Sequence, residues 1–116
     1  MSAEPIQNLA DQQTGVEGEN ALQINYYNVK KASLVLRSLN HKLRQQIIKI
    51  INDSDKLAVT EIYVKLRLEQ SVASQHLAIL RKAGIVNTKR EGKFIYYTIN
   101  KKRVESIDEF VNKLVS

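Results

Sequence analysis

Four polar side chains that can bond the edges of DNA bases lie close together in the sequence. Gln70, Ser71, Ser74 and Gln75 fall off the apolar stripe of a segment that has helical periodicity. A glutamine can bond an adenine edge through two hydrogen bonds, and a serine can donate or accept one. On a helix that enters the major groove, these four side chains would contact bases. The alternative is that they are ordinary solvated polar residues.

Basic side chains follow this segment at positions suited to phosphate contacts. Lys and Arg neutralise phosphates, which supplies most of the sequence-independent affinity for DNA. We predict phosphate contacts for Arg81, Lys82, Lys89, Arg90 and Lys93. The alternative for each is a solvated surface charge. Arg90 and Lys93 are favoured because they flank the dipeptide Glu91-Gly92, which is predicted to form a hairpin turn.

The charge of the sequence is divided between an acidic beginning and a basic remainder. The first 20 residues contain four acidic residues and neither Lys nor Arg, a net charge of −4. The other 96 residues carry all 18 Lys and Arg against eight acidic residues, a net charge of +10. A basic domain of this size indicates a polyanionic partner, most often nucleic acid, although charge alone fits a merely basic protein equally well.

The elements that must position these residues follow from the apolar periodicity. Helices are predicted over 25–39, 43–52, 60–66, 70–83 and 101–115, and extended segments over 57–59, 85–90 and 94–99. Thr60 is predicted to cap its helix, and Gly84 to end the helix that buries Val72, Leu77 and Leu80. The predicted fold is mainly α with a small β-hairpin and about five helices, a winged helix-turn-helix over residues 23–116.

Residues 1–22 are predicted to be a disordered acidic tail. They contain the only proline, two of the four glycines and isolated apolar residues, too few to offset the entropy of ordering. We favour an inert solvating tail over an electrostatic competitor for the basic face. The segment lacks the regions of a signal peptide, and no apolar run approaches the roughly 20 residues that span a bilayer, so no membrane contact and a cytoplasmic location are predicted.

Several function classes are excluded by residue type. The chain contains no cysteine, which excludes disulfides, thiolate metal sites and thiol chemistry. It contains no paired histidine and carboxylate motif and no glycine-rich phosphate loop, so we predict that it is not an enzyme. Its 116 residues leave room for a single domain.

Several motifs in the same order carry a family resemblance. The first is Ser74-Gln75-His76-Leu77, which is followed by Leu80-Arg81-Lys82-Ala83-Gly84-Ile85-Val86 and by Gly92-Lys93-Phe94-Ile95-Tyr96-Tyr97. A segment before them, Leu39-Asn40-His41-Lys42-Leu43-Arg44, has the form Leu-x-His-x-x-Arg. Over roughly residues 25–116, the sequence resembles ArsR/SmtB-type bacterial transcriptional repressors.

The resemblance implies a homodimer formed through the first and last helices. Both helices have apolar stripes, and the residues predicted at the interface are Val29, Ala32, Leu36, Val104, Ile107, Phe110, Val111 and Leu114. A dimer would place two recognition helices about one DNA turn apart, as a pseudo-palindromic operator requires. The alternative is that both stripes pack on their own core. For His76, the resemblance implies packing or a contact to the DNA backbone.

The sequence departs from the family at its familiar metal sites. Where many members have a Cys-x-Cys element, this chain has Glu61-Ile62-Tyr63-Val64-Lys65, and its last helix offers Glu105, Asp108 and Glu109 without a histidine. Because zinc requires nitrogen or sulfur ligands for tight tetrahedral binding, we predict no metal and no cofactor. Two further departures are Arg67, where glycine is usual in the turn, and Glu69, where serine is the usual cap.

The sequence therefore predicts a sequence-specific transcriptional regulator that binds double-stranded DNA. A repressor that acts as a homodimer is favoured, and an inducer, either a small molecule or a protein, is left open. The alternative function is a winged-helix module for protein–protein interaction, because this fold also serves as a docking unit. The basic hairpin and the polar face around Ser74 favour DNA.

Overall fold

Five helices and three strands form the part of the chain that the computed structural model describes, residues 21–116. The helices are α1 Tyr26–Leu39, α2 Lys42–Ser54, α3 Val59–Leu66, α4 Gln70–Lys82 and α5 Lys101–Val115. The strands are β1 Leu57–Ala58, β2 Val86–Glu91 and β3 Phe94–Ile99. This order confirms the predicted winged helix-turn-helix. The predicted disorder of residues 1–22 concerns mainly residues 1–20, which lie outside the described residues.

The described residues divide into two units between Lys31 and Ala32, and the second unit is Ala32–Ser116. Within the described part of the first unit, Asn25 begins helix α1, because its side-chain oxygen accepts a hydrogen bond from the backbone N–H of Asn28 at 3.0 Å. The aromatic side chains of Tyr26 and Tyr27 are exposed, and Lys31 Nζ lies 5.3 Å from the centre of the Tyr27 ring.

The core of the second unit is a single cluster of apolar side chains from α2, α3, α4 and the sheet. Its fully or almost fully buried members are Ile47, Ile51, Leu57, Ile62, Leu77, Leu80, Ile85 and Val86. Helices α2, α3 and α4 therefore pack against one another and against the sheet. The residues on the opposite side of α4 are free to face solvent.

The three strands form one antiparallel sheet in the order β1-β3-β2. The hairpin of β2 and β3 turns through Gly92 and Lys93, because Glu91 is still paired with Phe94. The predicted turn, Glu91-Gly92, was therefore wrong by one residue. Gly92 has a φ of +64°, which suits the first turn position of a two-residue hairpin loop.

Three further predictions about the elements were wrong by one or two residues. Helix α3 begins after Ala58 and not at Thr60, because the Glu61 carboxylate accepts a hydrogen bond from the Ala58 N–H at 2.9 Å. On α4, Ala73 is buried, whereas Val72 is only half-buried. Helix α2 continues beyond residue 52 to Ser54, with an ion pair of 2.9 Å between Lys49 and Asp53.

Candidate nucleic-acid interface

Helices α3 and α4 are joined by the short turn of a helix-turn-helix. Arg67 ends α3 in the left-handed conformation, with a φ of +55° and a ψ of +48°. Its neighbour Leu68 donates its N–H to the Tyr63 carbonyl at 2.9 Å, which closes the turn. The turn position at which the family usually has glycine thus requires a positive φ. An arginine there costs about 1 kcal/mol or more in backbone strain.

The four predicted base-contacting residues lie on one face of α4. Gln70, Ser71, Ser74 and Gln75 are all exposed and belong to the first two turns. The opposite face is buried through Ala73, Leu77 and Leu80. Helical geometry places positions i, i+1, i+4 and i+5 side by side, so the N-terminal part of α4 presents a continuous polar surface.

The C-terminal end of α4 is closed by backbone hydrogen bonds and by an arginine from α5. Gly84, with a φ of +78°, donates to the Arg81 carbonyl at 3.0 Å, and Ile85 donates to the Leu80 carbonyl at 2.9 Å. The Arg103 guanidinium donates to the Ala83 carbonyl at 3.2 and 3.3 Å. The predicted phosphate-contacting residues in the last turn of α4, Arg81 and Lys82, are exposed.

The predicted basic residues of the hairpin do not share one face. Lys89 is paired with Tyr96 and Arg90 with Ile95, and successive residues of a strand point to opposite faces. Both side chains are exposed, as is Lys93 at the tip. Arg90 and Lys93 therefore remain available at the end of the hairpin, while Lys89 lies on the face that carries Tyr96.

An acidic residue restrains two lysines on that same face of the hairpin. The Glu91 carboxylate lies 2.6 Å from Lys56 Nζ and 3.6 Å from Lys89 Nζ. The hydrogen bond from Lys56 lowers the pKa of Glu91, and the same bond raises the pKa of Lys56. Lys56 Nζ also lies 4.8 Å from the centre of the Tyr96 ring. The segment before β1 is thus tied to the end of β2.

The two histidines are brought together, although they are far apart in the sequence. His41 is the residue that precedes α2, and its ring centre lies 4.9 Å from that of His76 on α4. His76 is half-buried, and its Nδ1 atom lies 3.1 Å from a terminal nitrogen of Arg44. Sequence reasoning assigned no role to Arg44. Its position three residues before Ile47 and seven before Ile51, on the buried stripe of α2, was the available signal.

The predicted interface residues on α1 and α5 differ in exposure. Val104 and Ile107 are half-buried and pack against the core, and Leu36 and Val111 are half-buried as well. Phe110 is 51% exposed and Leu114 63% exposed, while Ala32 and Val29 are also exposed. Residues from the end of α1, from the start of α2 and from α5 line a shallow groove: Leu36, Leu39, Asn40, Gln45, Val104, Ile107, Asp108 and Val111.

Within residues 21–116, no group of three or more His, Cys, Asp or Glu side chains could hold a metal ion. None of the helices found there is long and apolar enough to cross a membrane. The predicted absence of a metal and of a cofactor stays a prediction.

The architecture and the polar face of α4 define a winged helix-turn-helix protein. Residues 41–88 match the family described as bacterial regulatory protein, arsR family. The transcriptional activator HlyU of Vibrio cholerae is 37% identical over 87 residues, which are 75% of this chain and 80% of that protein. The transcriptional repressor PagR of Bacillus anthracis is 33% identical over 92 residues, which are 79% and 92% of the two chains.

Solved structures of these relatives have the same fold. The structure of reduced HlyU from Vibrio cholerae has a TM-score of 0.60 at 36% identity and covers 77% of this chain and 93% of that one. The crystal structure of PagR has a TM-score of 0.61 at 32% identity, covering 75% and 99%. The chain belongs to the arsR family and is a DNA-binding transcriptional regulator. The relatives thus favour this function over the protein-interaction module.

Proposed function

We propose that the protein is a repressor that binds a pseudo-palindromic operator as a homodimer, with α4 in the major groove. The observation that carries this proposal is the exposed polar face of α4, together with the exposed basic residues at the end of the same helix and at the hairpin tip. Base contacts come from Gln70, Ser71, Ser74 and Gln75. Backbone contacts come from His76, Arg81, Lys82, Lys89, Arg90 and Lys93.

The dimer is proposed from the apolar surface of α5. The exposed Phe110 and Leu114 follow Val104 and Ile107 on one stripe of that helix, so the stripe continues beyond the core against which its first half packs. Contact between this stripe and the same stripe of a second copy, with the exposed side of α1, would bury it. Two-fold symmetry then places two copies of α4 on successive half-sites.

Two double variants test the assigned contacts by binding to the DNA upstream of the protein's own gene. We expect Ser74→Ala/Gln75→Ala to weaken binding to the preferred sequence by about 1–3 kcal/mol per lost base contact and to leave non-specific binding nearly unchanged. We expect Arg90→Ala/Lys93→Ala to weaken binding to every sequence and to reduce the slope of log affinity against log salt concentration by about two.

The matched control for lost charge is Lys113→Ala on α5, which removes a lysine that is exposed and outside the proposed DNA surface. Its affinity and salt slope should equal those of the unmodified protein. Equal loss of specific and non-specific binding in the Ser74 and Gln75 variant would contradict the assigned base contacts. A reporter gene controlled by the upstream region should be expressed more strongly when the gene for this protein is deleted. Weaker expression after the deletion would contradict repression.

A further inference from the structure

A buried cation without an acidic partner joins three elements beneath the recognition helix. The side chain of Arg44 on α2 is only 8% exposed. It donates from Nε to the Ser38 carbonyl at 2.7 Å and from a terminal nitrogen to the Arg37 carbonyl at 3.3 Å. The other terminal nitrogen lies 3.1 Å from Nδ1 of His76 on α4. Among residues 21–116, no carboxylate pairs with it.

The carbonyls at the end of α1 compensate this charge, which would otherwise be costly to bury. They belong to the last turn of a helix, where the backbone dipole is negative. The third contact of Arg44, with His76, then depends on the protonation state of the imidazole. A guanidinium has only donors, so Nδ1 of His76 must accept, and the proton of the neutral ring must be on Nε2.

The surroundings of His76 favour this neutral form. Burial lowers the pKa of His76, and the neighbouring charges of His41 and Arg44 lower it further. His41 and Arg44 are the titratable or charged groups that interact with this ring in residues 21–116, and neither is acidic. No described residue accepts a hydrogen bond from Nε2. His76 directly follows the proposed base-contacting residue Gln75, so its Nε2–H can donate to a phosphate oxygen of bound DNA.

We propose that Arg44 is a positioning residue that holds His76 as the neutral Nε2–H imidazole, the form in which α4 binds DNA, so that protonation of His76 weakens DNA binding. The inference rests on the proposed function and adds a proton-dependent regulation of the same surface. A protonated His76 has no acceptor at Nδ1 and places a second cation against Arg44. The tie between α4 and the end of α1 is then lost.

The sign of this effect separates it from an ordinary phosphate contact. A histidine that only neutralised a phosphate would bind DNA more tightly as the pH falls, because the charged form would be the binding form. Here the binding form is the neutral imidazole, so a protonated His76 must release one proton before DNA binds. Below the pKa of His76, the affinity should therefore fall by about tenfold per pH unit.

The first arm of the test needs neither DNA nor a variant. Long-range ¹H–¹⁵N spectra of the full chain at pH 8 should show His76 as the Nε2–H tautomer. A population that is mainly Nδ1–H would overturn the proposal. Because this measurement is independent of DNA, it stays decisive if the upstream fragment is not bound at pH 8, a result that would count against the proposed operator alone.

The second arm is DNA affinity between pH 8 and 4.5 at constant ionic strength, measured by fluorescence anisotropy on the upstream fragment; the range extends two units below 6.5, because the pKa of His76 is lowered from that value. We expect the unmodified protein to lose affinity on acidification, and His76→Asn to bind with a constant affinity, because its amide oxygen replaces Nδ1 and does not titrate. His41→Gln, the matched control, should keep the loss. Circular dichroism at each pH verifies that the protein is folded.

Two results of this second arm would overturn the proposal. One is an affinity of the unmodified protein that rises or stays constant as the pH falls. The other is a His76→Asn variant that loses affinity as steeply as the unmodified protein, since the titrating group would then lie elsewhere.

Discussion

Helices α4 and α5 have similar lengths and similar apolar periodicity, yet they use their surfaces in opposite ways. Of the 13 residues of α4, Ala73, Leu77 and Leu80 are buried, and the exposed side chains of its first turns are polar. Of the 15 residues of α5, none is buried, and Phe110 and Leu114 are exposed. An apolar stripe in the sequence thus predicts a face of a helix that favours burial, but it does not predict whether the protein's own core buries that face.

The difference arises from where each helix lies relative to the core. Helix α4 packs along its length on α2, α3 and β2. Helix α5 packs against the core through Val104 and Ile107 in its first half, and its second half extends past those contacts. Helix α4 is thus stabilised by its own chain, whereas the distal stripe of α5 stays exposed, as the proposed dimer requires.

The largest expected effect is the loss of a side chain from the buried face of α4. Leu77→Ala should lower the free energy of unfolding by about 2–5 kcal/mol, because it removes a fully buried side chain and leaves a cavity. Urea denaturation measures this loss. Gln75→Ala, on the exposed face of the same helix, should change the stability by less than about 0.5 kcal/mol. Equal effects would remove the distinction between the two faces.

The next effect concerns the exposed stripe of α5. Phe110→Asp should weaken the proposed dimer by about 2 kcal/mol or more, since it places a charge in the apolar contact. Sedimentation velocity should show monomers at a concentration at which the unmodified protein and Lys113→Ala are dimers. If Phe110→Asp sedimented as the unmodified protein does, the stripe would not be the interface.

A smaller effect is expected from the acidic residue of the hairpin. Glu91→Gln releases Lys56 and Lys89, so affinity for any DNA should rise and the salt slope should steepen by about one for each lysine that then contacts a phosphate. Because the pKa of Glu91 is lowered, the ion pair persists at neutral pH and is lost only as the pH falls from the ordinary value of 4.5 through the lowered pKa. Unchanged binding by Glu91→Gln would show that neither lysine contacts DNA.

The smallest effect should come from the turn between α3 and α4. Arg67→Gly should raise the free energy of unfolding by up to about 1 kcal/mol, because glycine adopts the positive φ without strain. Thermal unfolding measures the change. Asp55→Gly at the end of α2 serves as the comparison, because Asp55 also has a positive φ, +67°, but with a ψ of −45° that lies outside the left-handed helical region. Destabilisation by Arg67→Gly would mean that the arginine side chain makes compensating contacts.

The order of the elements and the exposed face of α4 could be predicted from the sequence, because both depend on local periodicity, although several limits were wrong by one or two residues. The limits of α5 and β3 agree with those predicted, and Ser74 and Gln75 are exposed as expected. The contact of Arg44 with His76 joins residues 32 positions apart and depends on how α2 crosses α4. Periodicity carries no information on such a crossing. The face of the hairpin on which Lys89 lies likewise depended on a register known only from the structure.

The bonds from Arg103 to the Ala83 carbonyl have a consequence for the length of the operator. They fasten the first turn of α5 to the end of α4, and a Cβ atom at Gly84 would lie 3.1 Å from Arg103 Nε. In the proposed dimer, the spacing between the two recognition helices is then a fixed length set by α5. One additional base pair between half-sites turns the second site away by about a tenth of a helical turn, so the proposed dimer would distinguish operators by half-site separation as well as by sequence.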